Sequence, residues 1–399
     1  MEKNIYKEAE ASVLLQYEKK KLQDCAGTLH NLASAFLIEE KEDTKDGDRK
    51  NLFLKRRLKE SRVLMADHLK EIAAIIQKSA EEKIKIIRLG EKKEKQIAKM
   101  LFLEGLILED FYLLEKENGR KEVVVRLYQK RLPGKNKYYS TEDVAAFLSV
   151  LLSLRLSASA GTPYFILDKP ENFCFEEDAG YMVLTGYAKT IKEEEKISGD
   201  NYTFFESDEK KFFAVLSDGM GSGEKAWEDS EAVVEMSERF LSGGFSAGLT
   251  VKMINDTILA GGEGRNMSTL DMCSIDLYTG ESEFLKVGAA YGLLKRDGHV
   301  EKIPSISLPL GVFYDLEMNR YEKKLLDGDY VFLFSDGVLE PFNSEEGEVF
   351  LKEIVAQIPY RRPSEMAGHI MKHAISASGG RIKDDMTILV IGIWENNGD

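Results

Sequence analysis

An apolar, strand-length run stops at a carboxylate: Phe212-Phe213-Ala214-Val215-Leu216-Ser217-Asp218. Glycines follow at 219, 221 and 223, and then a helix-like segment from about Glu224 to Leu241. Such a strand–Asp–Gly–loop–helix unit leaves one Asp at the carboxyl end of a buried strand, with little side-chain bulk around it. Hard metal ions need oxygen ligands and open coordination positions, and this arrangement offers both. One Asp-Gly is a common turn, but the construction recurs. Val331-Phe332-Leu333-Phe334-Ser335-Asp336-Gly337 is again an apolar run ending in Ser-Asp-Gly. Lys383-Asp384-Asp385-Met386-Thr387 opens the last apolar run, Ile388 to Ile393, and Ser198-Gly199-Asp200-Asn201 precedes the strand that leads into the first. Four acidic strand ends, remote in sequence, suit one divalent-metal site.

Other function classes recede on charge and composition. The chain has 399 residues and a net charge of −14, unevenly spread. Residues 1–100 hold 23 Lys/Arg against 18 Asp/Glu, and the remainder holds 32 against 51. An acidic C-terminal half argues against a nucleic-acid partner and suits divalent cations. The five histidines form no H-E-x-x-H set, which argues against a zinc hydrolase. Val144 to Leu154 is the longest strongly apolar stretch, too short to span a bilayer. No signal-peptide pattern stands near Met1. Cys25, Cys174 and Cys273 are isolated, as in buried thiols of a reducing compartment. A cytoplasmic location is expected.

The length predicts two or three domains. Residues 1–90 read as a helical, coiled-coil regulatory segment. Leu15, Leu22, Cys25, Leu29, Leu32 and Phe36 fall mostly at spacings of three and four, and a charged break spans Glu40 to Lys50. A second helix, Asn51 to Glu82, carries Leu54, Leu58, Met65, Ile72 and Ile75 on one side. An antiparallel pair is the simplest arrangement, and homodimerisation through the seam is expected. A third helix is expected over Lys83 to Gly105. Residues 91–177 read as a small mixed α/β domain, with a hairpin at Asn118-Gly119 between Leu106–Lys116 and Lys121–Lys130. Ser140 and Asp143 would cap a helix through Val144 to Leu154. Short strands are expected at Arg155 to Ala160 and Tyr164 to Phe175.

Residues 178–395 read as a strand-rich domain. Tyr181–Ala188 and Lys211–Leu216 are expected to pair. Helices follow at Glu224–Leu241 and Ser246–Leu259, and then a meander with turns at Thr279-Gly280 and Asp297-Gly298. Asp329–Phe334, helices near Gly347–Ala356 and Pro363–Ala377, and the final strand complete the set.

Gly199-Asp200, Ser217-Asp218-Gly219-Met220-Gly221-Ser222-Gly223, Ser268-Thr269-Leu270-Asp271, Ser335-Asp336-Gly337 and Asp384-Asp385-Met386-Thr387, in this order and spacing, resemble the PPM-type metal-dependent Ser/Thr protein phosphatases. The bacterial stage II sporulation protein E branch is the nearest in pattern. The resemblance implies an α/β (α+β) fold: a four-layer α/β/β/α sandwich, here preceded by the helical and small α/β regulatory regions. It implies two Mn²⁺ or Mg²⁺ ions sharing a bridging water whose hydroxide attacks phosphorus in line. Asp218 would bridge the ions, with the Gly219 carbonyl as a neutral ligand. Asp336 and Asp384 would hold one ion, and Asp200 would contribute mostly to the other. Asp384 is preferred over Asp385 as ligand, Asp385 then serving as its hydrogen-bond partner. Gly221, Gly223 and Lys225, at a helix start, are phosphate candidates.

The implied substrate is a phosphorylated anti-anti-sigma-type regulator, and the implied output is sigma-factor activation in sporulation. Two departures stand out. No clear equivalent of the phosphate-gripping Arg found in many PPM enzymes precedes Asp200, where the chain reads Lys192-Glu193-Glu194-Glu195-Lys196-Ile197. The large membrane-spanning front of the sporulation phosphatase has no counterpart either, so a soluble relative or the cytoplasmic part of such a protein is expected. Asp327-Gly328-Asp329 reads as a turn, Asp271 as structural, His369 and His373 as helix surface, and Gly261-Gly262-Glu263-Gly264 as a loop lacking the Lys-Ser/Thr of a P-loop. Two rival functions remain open: a PPM-fold dimeric scaffold with weak metal affinity, and a small-molecule phosphatase.

Overall fold

The computed structural model describes residues 2–37, 49–130, 138–159, 161–207, 209–260, 267–305, 307–313, 316, 318–359 and 361–396. The break at 40–48 and the loop at 261–264 lie outside the described residues, as do the side chains of Leu15, Leu54 and Leu58. The chain divides into two compact units, one of Met1–Asp48 with Met65–Asp178 and one of Arg49–Leu64 with Ala179–Asp399.

Long helices α1 (Glu2–Phe36) and α2 (Arg49–Glu81) come first. Among the described side chains the buried positions are alanines: Ala26 and Ala33 on α1, and Ala66, Ala73 and Ala80 on α2. Leu22, Leu32 and Met65, expected in the seam, are exposed, and so is Cys25. The seven-residue spacing holds, but small residues occupy the covered line. Alanine permits close approach where leucine would hold a neighbour away.

The rest of the first unit is one five-stranded sheet in the order β1-β2-β3-β5-β4. Its strands are β1 (Lys85–Ile87), β2 (Leu106–Glu115), β3 (Lys121–Gln129), β4 (Leu156–Ala158) and β5 (Glu171–Glu177). Two helices accompany it, α3 (Glu91–Leu103) and α4 (Thr141–Leu152). Leu101, Leu106, Val125, Leu148, Phe173 and Phe175 fill the core between them. The hairpin at Asn118-Gly119 forms as expected, with Gly119 at φ +81°. Ser140 and Asp143 make a reciprocal capping box. Two expectations fail. Lys85–Ile87 is not helix but an edge strand against Leu113–Glu115; its Ile-Ile pair suits a pleated surface, and Gly90 delays the helix to Glu91. Tyr164–Lys169 is irregular, the strand beginning only at Glu171.

The second unit holds two five-stranded antiparallel sheets. The first runs β13-β10-β9-β8-β7 and contains β7 (Asp200–Glu206), β8 (Lys211–Asp218), β9 (Leu270–Asp276), β10 (Glu281–Val287) and β13 (Asn319–Lys324). The second runs β12-β11-β14-β15-β6 and contains β6 (Tyr181–Thr190), β11 (Gly292–Arg296), β12 (His299–Ile303), β14 (Tyr330–Phe334) and β15 (Met386–Glu395). The expected pairing of 181–188 with 211–216 is therefore wrong. β6 pairs with β15 across most of its length, while β8 lies between β7 and β9. β7 supplies the hairpin partner of β8, and this leaves β6 for the chain's last strand.

Side chains alternate across these strands, and three cores separate four layers. Ala214, Leu216, Cys273, Phe284, Leu294, Val331, Leu333, Leu389 and Ile391 lie between the sheets. Val215, Met272 and Leu285 face α5 (Glu224–Ser242) and α6 (Ala247–Ala260). Phe332, Phe334, Ile388 and Val390 face α8 (Glu345–Gln357) and α9 (Pro363–Ala377). The order is helices, sheet, sheet, helices, as the resemblance implies. A one-turn helix, α7 (Asp336–Leu339), follows β14 directly and is not signalled by periodicity. No described helix is long and apolar enough to cross a membrane.

Candidate metal centre

One end of the sandwich collects acids from both sheets. β7 begins at Asp200 and β8 ends at Asp218, directly opposite each other in register. The Gly219 N–H donates to Gly199 O at 3.2 Å, so 199–219 is the hydrogen-bonded pair and Asp200–Asp218 is a non-hydrogen-bonded one. Pairs of that kind bring Cα atoms to about 4.5 Å and their side chains close together. The other sheet contributes Asp336, first residue of α7 after β14, and Asp384-Asp385, just before β15.

Burial and mutual repulsion act together here. The Asp218 carboxyl is pushed up to about 9, first by loss of hydration and then by the charges of Asp200, Asp336, Asp384 and Asp385. Asp200 is 1% exposed, and neither of its oxygens has a hydrogen bond of good geometry. Burial raises its carboxyl to about 6. The hydroxyls of Thr387 and Ser335 temper that rise, Asp385 adds to it, and Lys189 opposes it. Asp336 opens to solvent at the rim, yet the protein around its head raises it, with Asp384 adding to the rise.

The adjacent pair 384/385 divides into two roles. Asp385 accepts from Gly199 N–H at 2.7 Å and from Lys192 N–H at 2.9 Å, one bond to each carboxylate oxygen. It thereby ties the loop before β7 to the start of β15. Asp384 is half-exposed, accepts the Asp385 N–H at 3.0 Å, and lies 3.8 Å from Lys192 Nζ.

Around Asp218, Thr269 Oγ1 accepts the Asp218 N–H at 2.9 Å, and Ser217 Oγ donates to Thr269 O at 2.7 Å. The glycines admit close backbone approach. A Cβ on Gly219 would lie 1.9 Å from Ala226 O on α5, and one on Gly337 would lie 2.2 Å from Asp385 O. Gly221 and Gly223 take positive φ in the loop, and Lys225 stands exposed in the first turn of α5.

The donors fit a hard divalent cation. They are carboxylates and a backbone carbonyl, with a buried carboxylate at Asp200 that has no hydrogen bond of good geometry and, among the described residues, more negative charge than the neighbouring Lys189 and Lys192 offset. Among the described residues, no three His, Cys, Asp or Glu side chains close on one point. The acids are gathered without forming a finished cage, as repelling carboxylates would be.

Sequence reading did not single out Lys192 as a neighbour of Asp384, nor the roles of Ser335, Thr387 and Thr269. The last three lie inside the quoted motifs, so their signal is their place beside the acids. Among the look-alikes, Asp327-Gly328-Asp329 forms a turn with Gly328 at φ +78°. His369 and His373 sit half-buried on the flank of α9 with ring centroids 4.7 Å apart.

A four-layer sandwich with an acidic group at the ends of both sheets defines the PPM, or PP2C, class of domain. Residues 208–394 match the family model described as stage II sporulation protein E (SpoIIE), and that segment is similar to the PPM domains of this type. The chain is 28% identical over 350 residues to the stage II sporulation protein E of Bacillus subtilis (strain 168), covering 87% of this chain and 41% of that protein. It is 28% identical over 352 residues to the Priestia megaterium protein of the same name, covering 87% and 59%. The chain thus spans less than two thirds of the length of these relatives. A solved structure of the PP2C phosphatase domain and a fragment of the regulatory domain of SpoIIE from Bacillus subtilis superimposes with a TM-score of 0.61 at 26% identity. The match covers 88% of this chain and 97% of that one.

Proposed function

We propose that residues 178–395 are a metal-dependent phosphatase acting on phosphoserine or phosphothreonine in a protein. The observation that carries this reading is the meeting of Asp200, Asp218, Asp336 and Asp384 at one end of the sandwich, with the Asp218 carboxyl pushed up to about 9 by burial first and by the charges of its acidic neighbours second. Asp218 would hold both of two Mn²⁺ or Mg²⁺ ions, with the Gly219 carbonyl as a neutral ligand; Asp336 and Asp384 would hold one of them, and Asp200 would contribute mostly to the other. Bound there, the ions would supply Lewis acidity and a water of lowered pKa next to the phosphoryl group. The chain's own part is positional. Asp385 fixes the loop that carries Asp200, Thr269 fixes the backbone of Asp218, and Gly219 lets α5 pack against the loop. Gly221, Gly223 and Lys225 are the phosphate-side candidates at the start of α5.

The substrate proposed is a phosphorylated anti-anti-sigma-type regulator, with sigma-factor activation as output and the cytoplasm as the place of action. Free thiols at Cys25, Cys174 and Cys273 accord with a reducing compartment. The division into 1–90, 91–177 and 178–395, with the first two regulatory, belongs to the same proposal. So does homodimerisation through the N-terminal helices, which Leu22, Leu32 and Met65, exposed in the single chain, support. The test is release of phosphate from a phosphorylated regulator with and without Mn²⁺. Wild type is expected to release it only with metal, and Asp218→Ala not at all; full activity of that variant would defeat the assignment. The gathered but unclosed carboxylates favour one rival, a scaffold of weak metal affinity. Calorimetric titration with Mn²⁺ separates the two, since a scaffold takes up no metal.

A further inference from the structure

The two sheets each bring part of the acidic group, so their spacing sets the distance between Asp200/Asp218 and Asp336/Asp384. An ion pair lies in the interior directly below. Asp271 on β9 and Lys286 on β10 are opposite one another in register, and Asp271 is also opposite Leu216 on β8. Leu216 faces the space between the sheets, two residues before Asp218 and on the same side of the strand. Both charged side chains are 1% exposed.

Lys286 reaches from the first sheet to the connection that enters the second. Its Nζ donates to Asp271 Oδ2 and, at 3.0 Å, to Ala290 O, two residues before β11 begins. A Cβ on Gly292 would lie 3.5 Å from that Nζ and 2.9 Å from Phe332 O on β14, so the ammonium head lies beside the start of β11, where Gly292 carries no side chain. Leu293, next along β11, is opposite Phe332, and β14 runs on from there to Asp336. The backbone of Lys286 adds a second tie: Ser307 Oγ donates to Lys286 O at 2.8 Å and accepts the Gly288 N–H at 3.1 Å. Leu310, three residues further on, donates to Ser268 O, beside Gly219.

Burying two charges costs several kcal/mol per ion before pairing, and apolar residues of the same size commonly serve stability as well or better. One oxygen of Asp271, Oδ1, is buried without a partner, so the pair is not even fully satisfied. Stability alone is a poor reason for it. Direction is a better one: an ammonium bonded to β9 on one side and to the entry of β11 on the other fixes one separation between the sheets, which an apolar contact would leave to slide.

We propose that Lys286 and Asp271 are positioning residues that set the spacing of the two carboxylate sets, and through it the affinity for the divalent ions. This rests on the phosphatase reading. The test is the apolar pair of closer volume Asp271→Val/Lys286→Met, with Lys286→Met alone beside it; in the single variant Asp271 can take up a proton. Melting temperature and Mn²⁺ affinity by calorimetry are measured on the full chain, together with metal-dependent hydrolysis of p-nitrophenyl phosphate. The expected result is a double variant that melts no lower than wild type yet binds Mn²⁺ about tenfold more weakly or worse. Part of its turnover should return at high metal. A folded double variant, or a folded single one, with wild-type Mn²⁺ affinity overturns the proposal. If wild type itself neither binds Mn²⁺ nor turns over the substrate, the phosphatase reading fails first, and the two failures are told apart.

Discussion

Asp200 and Asp218 are direct cross-strand neighbours at the end of β7 and β8, a non-hydrogen-bonded pair of like charges in which Asp200 is buried without a hydrogen bond of good geometry. Two carboxylates so placed destabilise the strands they end unless a proton or a cation lies between them. The fold therefore keeps a repulsive pair that only a ligand of opposite charge relieves.

Metal removal should expose that repulsion as a pH dependence. In the metal-free chain Asp218 is raised to about 9 and Asp200 to about 6, against about 3.9 for an unfolded Asp. The folded state holds more protons than the unfolded one between these values. The contribution is fully present below about pH 4 and is lost as pH rises through the folded values. With chelator present, the melting temperature is expected to fall from pH 5 to pH 9. Asp218→Asn should flatten the slope, and excess Mn²⁺ should lift the high-pH end most. A slope identical in wild type and variant would mean that Asp218 does not carry the effect.

Asp384 and Asp385 should separate cleanly. Asp385 is 8% exposed and accepts two backbone N–H groups from the loop before β7. Its replacement by Ala strands both donors and is expected to cost about 3 kcal/mol of stability. Asp384 is half-exposed, and Asp384→Ala is expected to stay within about 0.5 kcal/mol of wild type while losing Mn²⁺ affinity. Urea unfolding with parallel calorimetry reads both. The reverse pattern would exchange the two roles.

Much of this was legible in the chain. Asp218 and Asp336 end apolar runs in Ser-Asp-Gly, and Asp384-Asp385 opens one, so each acid announces a strand end. The four layers were implied by the resemblance that these motifs carry, and the strands of the second unit are accordingly covered on both faces. Partnering across long separations was not legible. β6 is set against β15, almost two hundred residues on, and no local pattern encodes that. Lys286 reads as an ordinary polar position in the alternation Glu283-Phe284-Leu285-Lys286-Val287, and only the register that puts it opposite Asp271 shows it to be interior. The helical seam shows the same limit: Leu22 and Leu32 have the right spacing, yet Ala26 and Ala33 are the buried positions.

Gly219 should tolerate no side chain. With a Cβ 1.9 Å from Ala226 O, Gly219→Ala must push the first turn of α5 away from the strand end. An overpacking cost of about 2 kcal/mol is expected, together with loss of metal binding, because the displaced backbone carries the proposed Gly219 ligand. Gly368, inside α9, has nothing within 4 Å of a built Cβ, and Gly368→Ala should stabilise by about 1 kcal/mol through helix propensity alone. Thermal melts of the two variants, with and without Mn²⁺, test the contrast. Retained metal binding in Gly219→Ala would remove that backbone from the site.

Asp329 provides the counterpart to Asp200, since both follow a glycine and both are buried. Arg296 donates to Asp329 through Nε at 2.9 Å and through Nη2, and Leu326 N–H donates to it at 2.7 Å. Its carboxylate is thus satisfied inside the β11–β14 framework, where Asp200 has no hydrogen bond of comparable geometry. Asp329→Ala leaves the Arg296 guanidinium without its carboxylate and is expected to cost about 3 kcal/mol, with Mn²⁺ affinity unchanged. Asp200→Ala removes a repelling buried charge, so the metal-free chain should be no less stable than wild type while Mn²⁺ affinity falls. Unfolding in chelator and Mn²⁺ calorimetry on both variants decide the matter. Equal losses of metal affinity would show that Asp200 acts on the site only through the fold.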